Sequence, residues 1–263
     1  MRLLVSVRAA AEVAPAIKGG ADIVDAKEPS HGPLGPVSGA ELRAIAACVP
    51  AEMPLSVALG DPADASGLEV AMAALDGVGP RRGPAYIKIG LSAAGAGAEA
   101  LLRAAVGAAA GAALRPSVVV VGYADHLAAR APAPDAVLRL ALAAGASGVL
   151  LDTWDKGSGD LFHHVAESEL AAWVADARGA GLLVALAGSL TLDGVRLAAT
   201  LGADIVGVRG AACDGGREGV LAPGRVSQLR AAMAPGSAAA GGAYRAPVAA
   251  SQADGEYDVA AYK

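Results

Sequence analysis

Eight short runs rich in Val, Ile and Leu recur along the chain, beginning near Leu3, Asp22, Pro54, Ala85, Ser117, Gly148, Leu182 and Asp204. Between them lie Ala/Leu-rich segments with apolar residues at helical spacing, which predict helices over Glu41–Val49, Leu68–Leu75, Glu99–Ala113, Asp135–Ala144, Glu167–Arg178 and Asp193–Leu201. The pattern is a strand followed by a helix, repeated eight times.

Most strand starts are about 31 residues apart, the size of one βα unit in a parallel sheet. Gly-Ala precedes the strands at Gly20-Ala21, Gly145-Ala146 and Gly202-Ala203, where glycine can end a helix in the left-handed conformation. G-A-D-I-V-D at 20–25 and G-A-D-I-V-G at 202–207 read as two copies of one helix-to-strand corner. Eight such units close into a (β/α)8 TIM barrel, the expected α/β fold. An open doubly wound sheet is the alternative, but V-R-A-A (7–10), not G-x-G-x-x-G, follows the first strand.

Pro223–Met233 is the expected eighth helix, which makes residues 1–234 one catalytic domain. Beyond it, 235–263 combines small residues with no period and is expected to be a disordered tail. The Gly/Pro stretch at 28–39 follows a strand that bears candidate catalytic groups and is expected to be an ordered loop, in the position of a lid.

Composition narrows the class. With 54 % apolar residues, 18 % charged residues and 35 glycines, the 263-residue chain has ample material for a buried sheet wrapped by helices. A net charge of −5, without a basic run, and 3 % aromatics leave no nucleic-acid footprint. The longest uncharged stretches, Gly179–Leu192 and Ala231–Tyr244, span 14 residues, short of the roughly 20 that a membrane helix needs. Met1–Arg8 is too short in its apolar part for a secretory leader, and Cys48 and Cys213 have no metal spacing, so both are expected to be reduced thiols in or near the core. The expectation is a cytoplasmic chain that binds neither nucleic acid nor membrane. Its small-residue helices leave homo-oligomer formation open.

The charged residues carry the chemical signal. Of 21 basic residues only five are lysines, and three of these, Lys27, Lys88 and Lys156, stand at or just beyond strand ends. Asp25 and Asp152 accompany them in D-I-V-D-A-K (22–27) and G-V-L-L-D-T-W-D-K (148–156). Side chains alternate along a strand, so Asp25 and Lys27 face the same side. Unlike arginine, a lysine amine can lose its proton and attack a carbonyl. At the mouth of an apolar barrel, lost hydration and neighbouring ammonium groups both favour the neutral amine. Three amines and two carboxylates in one cup supply an imine-forming lysine beside a separate base; the competing reading is salt bridges that brace the sheet ends. The turns after the seventh and eighth strands, A-G-S-L (187–190) and R-G-A-A-C (209–213), place Gly188, Ser189, Arg209 and Gly210 where barrels often hold a phosphate, although plain βα turns read the same way. His163 and His164 lack ligand spacing, and His31, Trp154 and Asp155 have ordinary loop or packing readings. Ser189 has no G-x-S-x-G context.

These residues bring a family into view. L-V-S-V (4–7), G-G-A-D-I-V-D-A-K-E-P-S-H-G-P-L-G (19–35), I-K-I-G (87–90), L-L-D-T-W-D-K-G (150–157), L-F (161–162) and D-I-V-G-V-R-G-A-A-C (204–213) resemble the (5-formylfuran-3-yl)methyl phosphate synthase family, over roughly residues 1–233. The resemblance implies a cytoplasmic lyase of methanofuran biosynthesis that condenses two molecules of glyceraldehyde 3-phosphate, with loss of phosphate and water. Lys27 would be the Schiff-base lysine, Lys88 the proton acceptor, and Asp25, Asp152 and Lys156 further active-site groups. This chemistry calls for no cofactor or metal. A generic class I phosphosugar aldolase or isomerase, and a non-catalytic barrel that grips a phosphorylated ligand, remain as alternatives.

Overall fold

The computed structural model describes residues 1–76, 78 and 83–234; the expected tail at 235–263 lies outside them. Eight parallel strands close a barrel in chain order: β1 Arg2–Val7, β2 Ile23–Ala26, β3 Leu55–Ala58, β4 Tyr86–Gly90, β5 Ser117–Tyr123, β6 Gly148–Asp152, β7 Leu183–Leu186 and β8 Ile205–Val208, with β8 paired back onto β1. Helices α1 Val13–Lys18, α2 Gly39–Cys48, α3 Ala65–Ala73 and α4 Ala98–Gly111 follow the first four strands. The second half adds α5 His126–Ala129 and α6 Pro134–Ala144 after β5, and α7 Leu161–His164 and α8 Glu167–Gly179 after β6. Finally α9 Leu192–Thr200 follows β7, and α10 Pro223–Ala232 follows β8.

Each strand start and the long helices lie where the apolar pattern puts them. The strands read as continuous apolar runs because both faces are covered. Their alternate residues sort into two cores. Leu3, Val5, Val24, Val57, Ile87, Ile89, Val120, Val149, Val184 and Val206 join the helices in an outer core. Leu4, Ile23, Ala58, Val119, Val121, Leu150, Ala185 and Ile205 fill the barrel interior. Residues in register on parallel strands share a side, so Ser6, Asp25 and Ser56, paired across β1, β2 and β3, lie together on the inner face as polar breaks among those apolar residues.

The repeated G-A-D corner has a structural use. Gly20 (φ +96°) and Gly202 (φ +80°) turn the chain in the left-handed region before β2 and β8. The following aspartates accept backbone N–H groups of the neighbouring strand: Asp22 Oδ2 from Leu3 at 2.7 Å and Asp204 Oδ2 from Val184 at 2.9 Å. Asp22 also pairs with Arg230 of α10, which ties the last helix to the barrel floor.

Three details differ from the sequence reading. Cys48, expected in or near the core, is exposed at the end of α2, on the face turned from the sheet, whereas Cys213 is buried. The short helices α1, α5 and α7 were not predicted, being too brief to show a helical period. A short antiparallel hairpin with two residues in each strand, β9 Cys213–Asp214 with β10 Val220–Leu221, follows β8. Among the described residues no helix is long and apolar enough to cross a membrane.

Candidate active site

The C-terminal ends of the strands surround a cavity of about 250 Å³, lined among others by Ser6, Asp25, Lys27, Lys88, Asp152 and Lys156. All five residues singled out as catalytic candidates therefore meet at one mouth. β2 contributes Asp25 and Lys27, which alternation turns inward together. Asp25 is fully buried and accepts from Lys88 Nζ at 2.7 Å and from Ser6 Oγ at 2.8 Å, both at Oδ2. Its other oxygen, Oδ1, is buried without a partner among the described residues. Burial alone would raise the Asp25 carboxyl, but Lys88, Lys27 and the hydrogen bonds from Lys88 and Ser6 outweigh it and hold the group below its usual value.

The β6 end builds a second carboxylate-amine pair. Asp152 Oδ1 accepts from Lys156 Nζ at 2.5 Å and from the Thr153 N–H at 2.8 Å. Lys156 reaches it because the chain folds back at once: the same ammonium donates to the Thr153 carbonyl and hydroxyl. Burial would raise Asp152, yet Lys156 and Lys27 bring it below its ordinary range. Lys156 in turn is lowered by burial, with Asp152 opposing.

Lys27 stands between these pairs and belongs to neither. It is 8 % exposed, and its side chain makes no hydrogen bond or ion pair among the described residues. Burial drives its amine down to about 7, reinforced by Lys88 and Lys156 and opposed by Asp152 and Asp25. With both carboxylates already bound to other ammonium groups, Lys27 is the amine with least to lose by giving up its proton. A neutral, inward amine beside two ion pairs can add to a carbonyl while its neighbours move protons.

The turns after β7 and β8 complete the wall. Gly188 (φ +104°) and Ser189 (φ +50°) are consecutive left-handed residues, and a Cβ on Gly188 would lie 3.0 Å from Thr153 Cγ2. Ser189 is exposed; Thr191 caps α9 by accepting from the Gly194 N–H at 3.1 Å. Gly188, Ser189, Arg209 and Gly210 all border the cavity. The guanidinium of Arg209, however, is directed into protein: it donates to Glu12 at 2.5 and 3.0 Å and to the carbonyls of Ser6, Arg217 and Gly219. Those contacts use all five of its N–H groups. Arg217, in the loop between β9 and β10, also lines the cavity and was not foreseen; nothing in C-D-G-G-R-E-G marks where that loop returns. Ser6, the one polar residue in L-L-V-S-V, is a further site residue, and the break it makes in that apolar run is the signal that marks it.

The remaining candidates take packing or loop positions. Trp154 packs edge-on against Tyr123 at 5.2 Å, and the Tyr123 hydroxyl is held by Asp61. His164 meets Ser158 Oγ at 3.1 Å, and His31 and His163 are exposed. No group of three or more His, Cys, Asp or Glu able to hold a metal occurs among the described residues.

A closed (β/α)8 barrel gathers amines and carboxylates at its strand C-termini, the face on which barrel enzymes carry their active sites. Solved barrels agree on the fold: 3-hexulose-6-phosphate synthase of Salmonella typhimurium superposes with a TM-score of 0.63 at 17 % identity, covering 89 % of this chain and 98 % of the other. N-(5'-phosphoribosyl)anthranilate isomerase of Pyrococcus furiosus does so with a TM-score of 0.57 at 16 % identity, covering 89 % and 98 %. Sequence similarity is more specific. The family described as 4-HFC-P synthase matches residues 3–230. The (5-formylfuran-3-yl)methyl phosphate synthase of Methanopyrus kandleri is 38 % identical over 237 residues, 89 % of this chain and 99 % of that one. Its counterpart in Methanococcus maripaludis is 37 % identical over 218 residues, 82 % and 91 % of the two chains. The chain belongs to the (5-formylfuran-3-yl)methyl phosphate synthase family, and it is an enzyme.

Proposed function

We propose that this enzyme condenses two molecules of glyceraldehyde 3-phosphate into (5-formylfuran-3-yl)methyl phosphate through an imine on Lys27. One phosphate and two waters leave, so carbon, phosphorus and oxidation level balance without an external electron carrier. The product would feed a methanofuran-type cofactor, and the reaction would make the protein a lyase.

The observation that carries the reading is the isolation of Lys27: an inward amine brought down to about 7 between two ion pairs that occupy both nearby carboxylates. A neutral amine adds to the aldehyde of one triose, and loss of water gives a protonated imine. That cation withdraws electrons from the adjacent carbon, whose proton passes to the Lys88-Asp25 pair; the unpartnered Asp25 Oδ1 gives this pair a free acceptor lone pair. The resulting carbon nucleophile attacks the second aldehyde. Asp152 and Lys156, joined at 2.5 Å, act as a proton donor and acceptor during the eliminations that aromatise the ring. Gly188, Ser189 and Gly210 offer turn backbone to a phosphate, and Arg209 supports that wall from behind.

The test is product formation from glyceraldehyde 3-phosphate as sole substrate. An ultraviolet-absorbing furaldehyde phosphate, released with one equivalent of inorganic phosphate, is expected. Sugar phosphates without furan absorbance would instead indicate an aldolase or isomerase on the same barrel.

A further inference from the structure

The cavity has two arginines on its rim, and they are used in opposite ways. Arg209, whose side chain is 4 % exposed, spends every donor on protein acceptors. Two of those acceptors, the carbonyls of Arg217 at 3.0 Å and Gly219 at 3.1 Å, belong to the loop between β9 and β10. The same hairpin is braced at its base by the Arg225-Asp214 pair at 2.5 Å. Arg209 thus fixes the backbone on which Arg217 is mounted.

Arg217 itself is half-buried and lines the cavity beside Asp152 and Lys156. Its side chain makes one hydrogen bond among the described residues, from Nη2 to the Gly32 carbonyl at 2.6 Å. Its Nε and Nη1 donors, and the second hydrogen of Nη2, have no protein acceptor there. Asp152 is the carboxylate that attracts it most, and that carboxylate is already bonded to Lys156 and the Thr153 N–H. A guanidinium that lines the cavity on backbone fixed by a neighbouring arginine, with several donors unmatched and no carboxylate of its own, suits a tetrahedral oxyanion that accepts two parallel hydrogen bonds.

We infer that Arg217 is a phosphate-binding residue of this site, gripping a phosphate monoester of the substrate beside Lys156, where the Arg217 backbone packs against the turn at Gly210. This assignment rests on the proposed condensation, which needs it: two phosphorylated trioses bring two dianions into one cavity, and their mutual repulsion calls for a fixed cation beside the turn backbone. Arg209 is the positioning residue behind it. The Gly32 contact also links the grip to the loop at 28–35, so that a bound phosphate and an ordered loop support each other.

The experiment compares the full-length protein with Arg217→Gln and Arg217→Lys, using glyceraldehyde 3-phosphate, unphosphorylated glyceraldehyde and inorganic phosphate as probes. Reductive trapping on Lys27 is followed by mass spectrometry. In Arg217→Gln, trapping of the phosphorylated aldehyde should fall about 10- to 100-fold at subsaturating concentration, trapping of glyceraldehyde should stay within about twofold, and protection by inorganic phosphate should weaken to a similar degree. Arg217→Lys should recover part of the phosphate preference. Loss of trapping for both aldehydes alike, or an unchanged preference for the phosphorylated one in a folded Arg217→Gln protein, overturns the assignment. Failure of the parent protein to trap either aldehyde would instead contradict the imine itself, which separates the two claims.

Discussion

Asp125, just beyond β5, accepts the backbone N–H groups of Trp154 and Asp155 at 2.6 and 2.8 Å, and so clamps the loop that returns Lys156 to Asp152. The Lys156-Asp152 pair is therefore set from an adjacent strand as well as by its own turn. Asp125→Ala frees two N–H groups and the loop with them. We expect kcat to drop about 10- to 100-fold while the melting temperature changes by only a few degrees, since a misplaced proton donor costs rate out of proportion to stability. Asp125→Asn, which retains one acceptor oxygen, should fall between. Steady-state kinetics beside thermal melting would show this, and equal kcat in the alanine variant would mean that the loop keeps its place without the clamp.

The Lys88-Asp25 pair makes a different kind of demand on the fold. Both side chains are within 4 % of full burial, so removing one strands a buried charge. Lys88→Met or Asp25→Asn alone should each destabilise by about 3 kcal/mol or more, whereas the double variant should be closer to the parent, because no unpaired charge is left of the pair. Chemical denaturation of the four proteins gives the coupling directly. Additive losses would indicate that solvent in the cavity already relieves the stranded charge.

Much of this was legible in the sequence, and the reason is periodicity. Strand positions follow from apolar runs, and the meeting of Lys27, Lys88 and Lys156 follows from the rule that strand ends of a barrel converge. What could not be read is where loops return. Arg209 has the sequence position of a phosphate ligand, at the end of β8, but Glu12 lies 197 residues away and no local pattern announces that it will claim the guanidinium. Arg217 and Asp125 gain their places only through tertiary contacts with Gly32 and with the 154–155 backbone. Cys48 is the converse case: an apolar residue type at a helix end says little about which face it takes.

The buried amine of Lys27 predicts how stability depends on pH. Its value of about 7 lies below the ordinary 10.5, so between those limits the unfolded chain binds a proton that the folded one does not. Stability must therefore rise with pH across that window, and the cost of burying the ammonium is felt in full below it. Lys27→Met removes this dependence. The variant should exceed the parent by up to a few kcal/mol at about pH 6 and converge with it as pH approaches about 10, measured by denaturant unfolding. A constant difference at every pH would show that Lys27 titrates in the folded protein as it does in water.

The account depends most on a neutral Lys27 that bonds covalently to an aldehyde. Borohydride reduction in the presence of glyceraldehyde 3-phosphate, followed by peptide mass mapping, tests this directly over a series of pH values. The predicted result is a single substrate-derived adduct on Lys27, formed at a rate that climbs through about pH 7 and absent in Lys27→Arg, which keeps the charge but forms no imine. An adduct on Lys88 or Lys156 instead, or turnover that persists in Lys27→Arg, would contradict it.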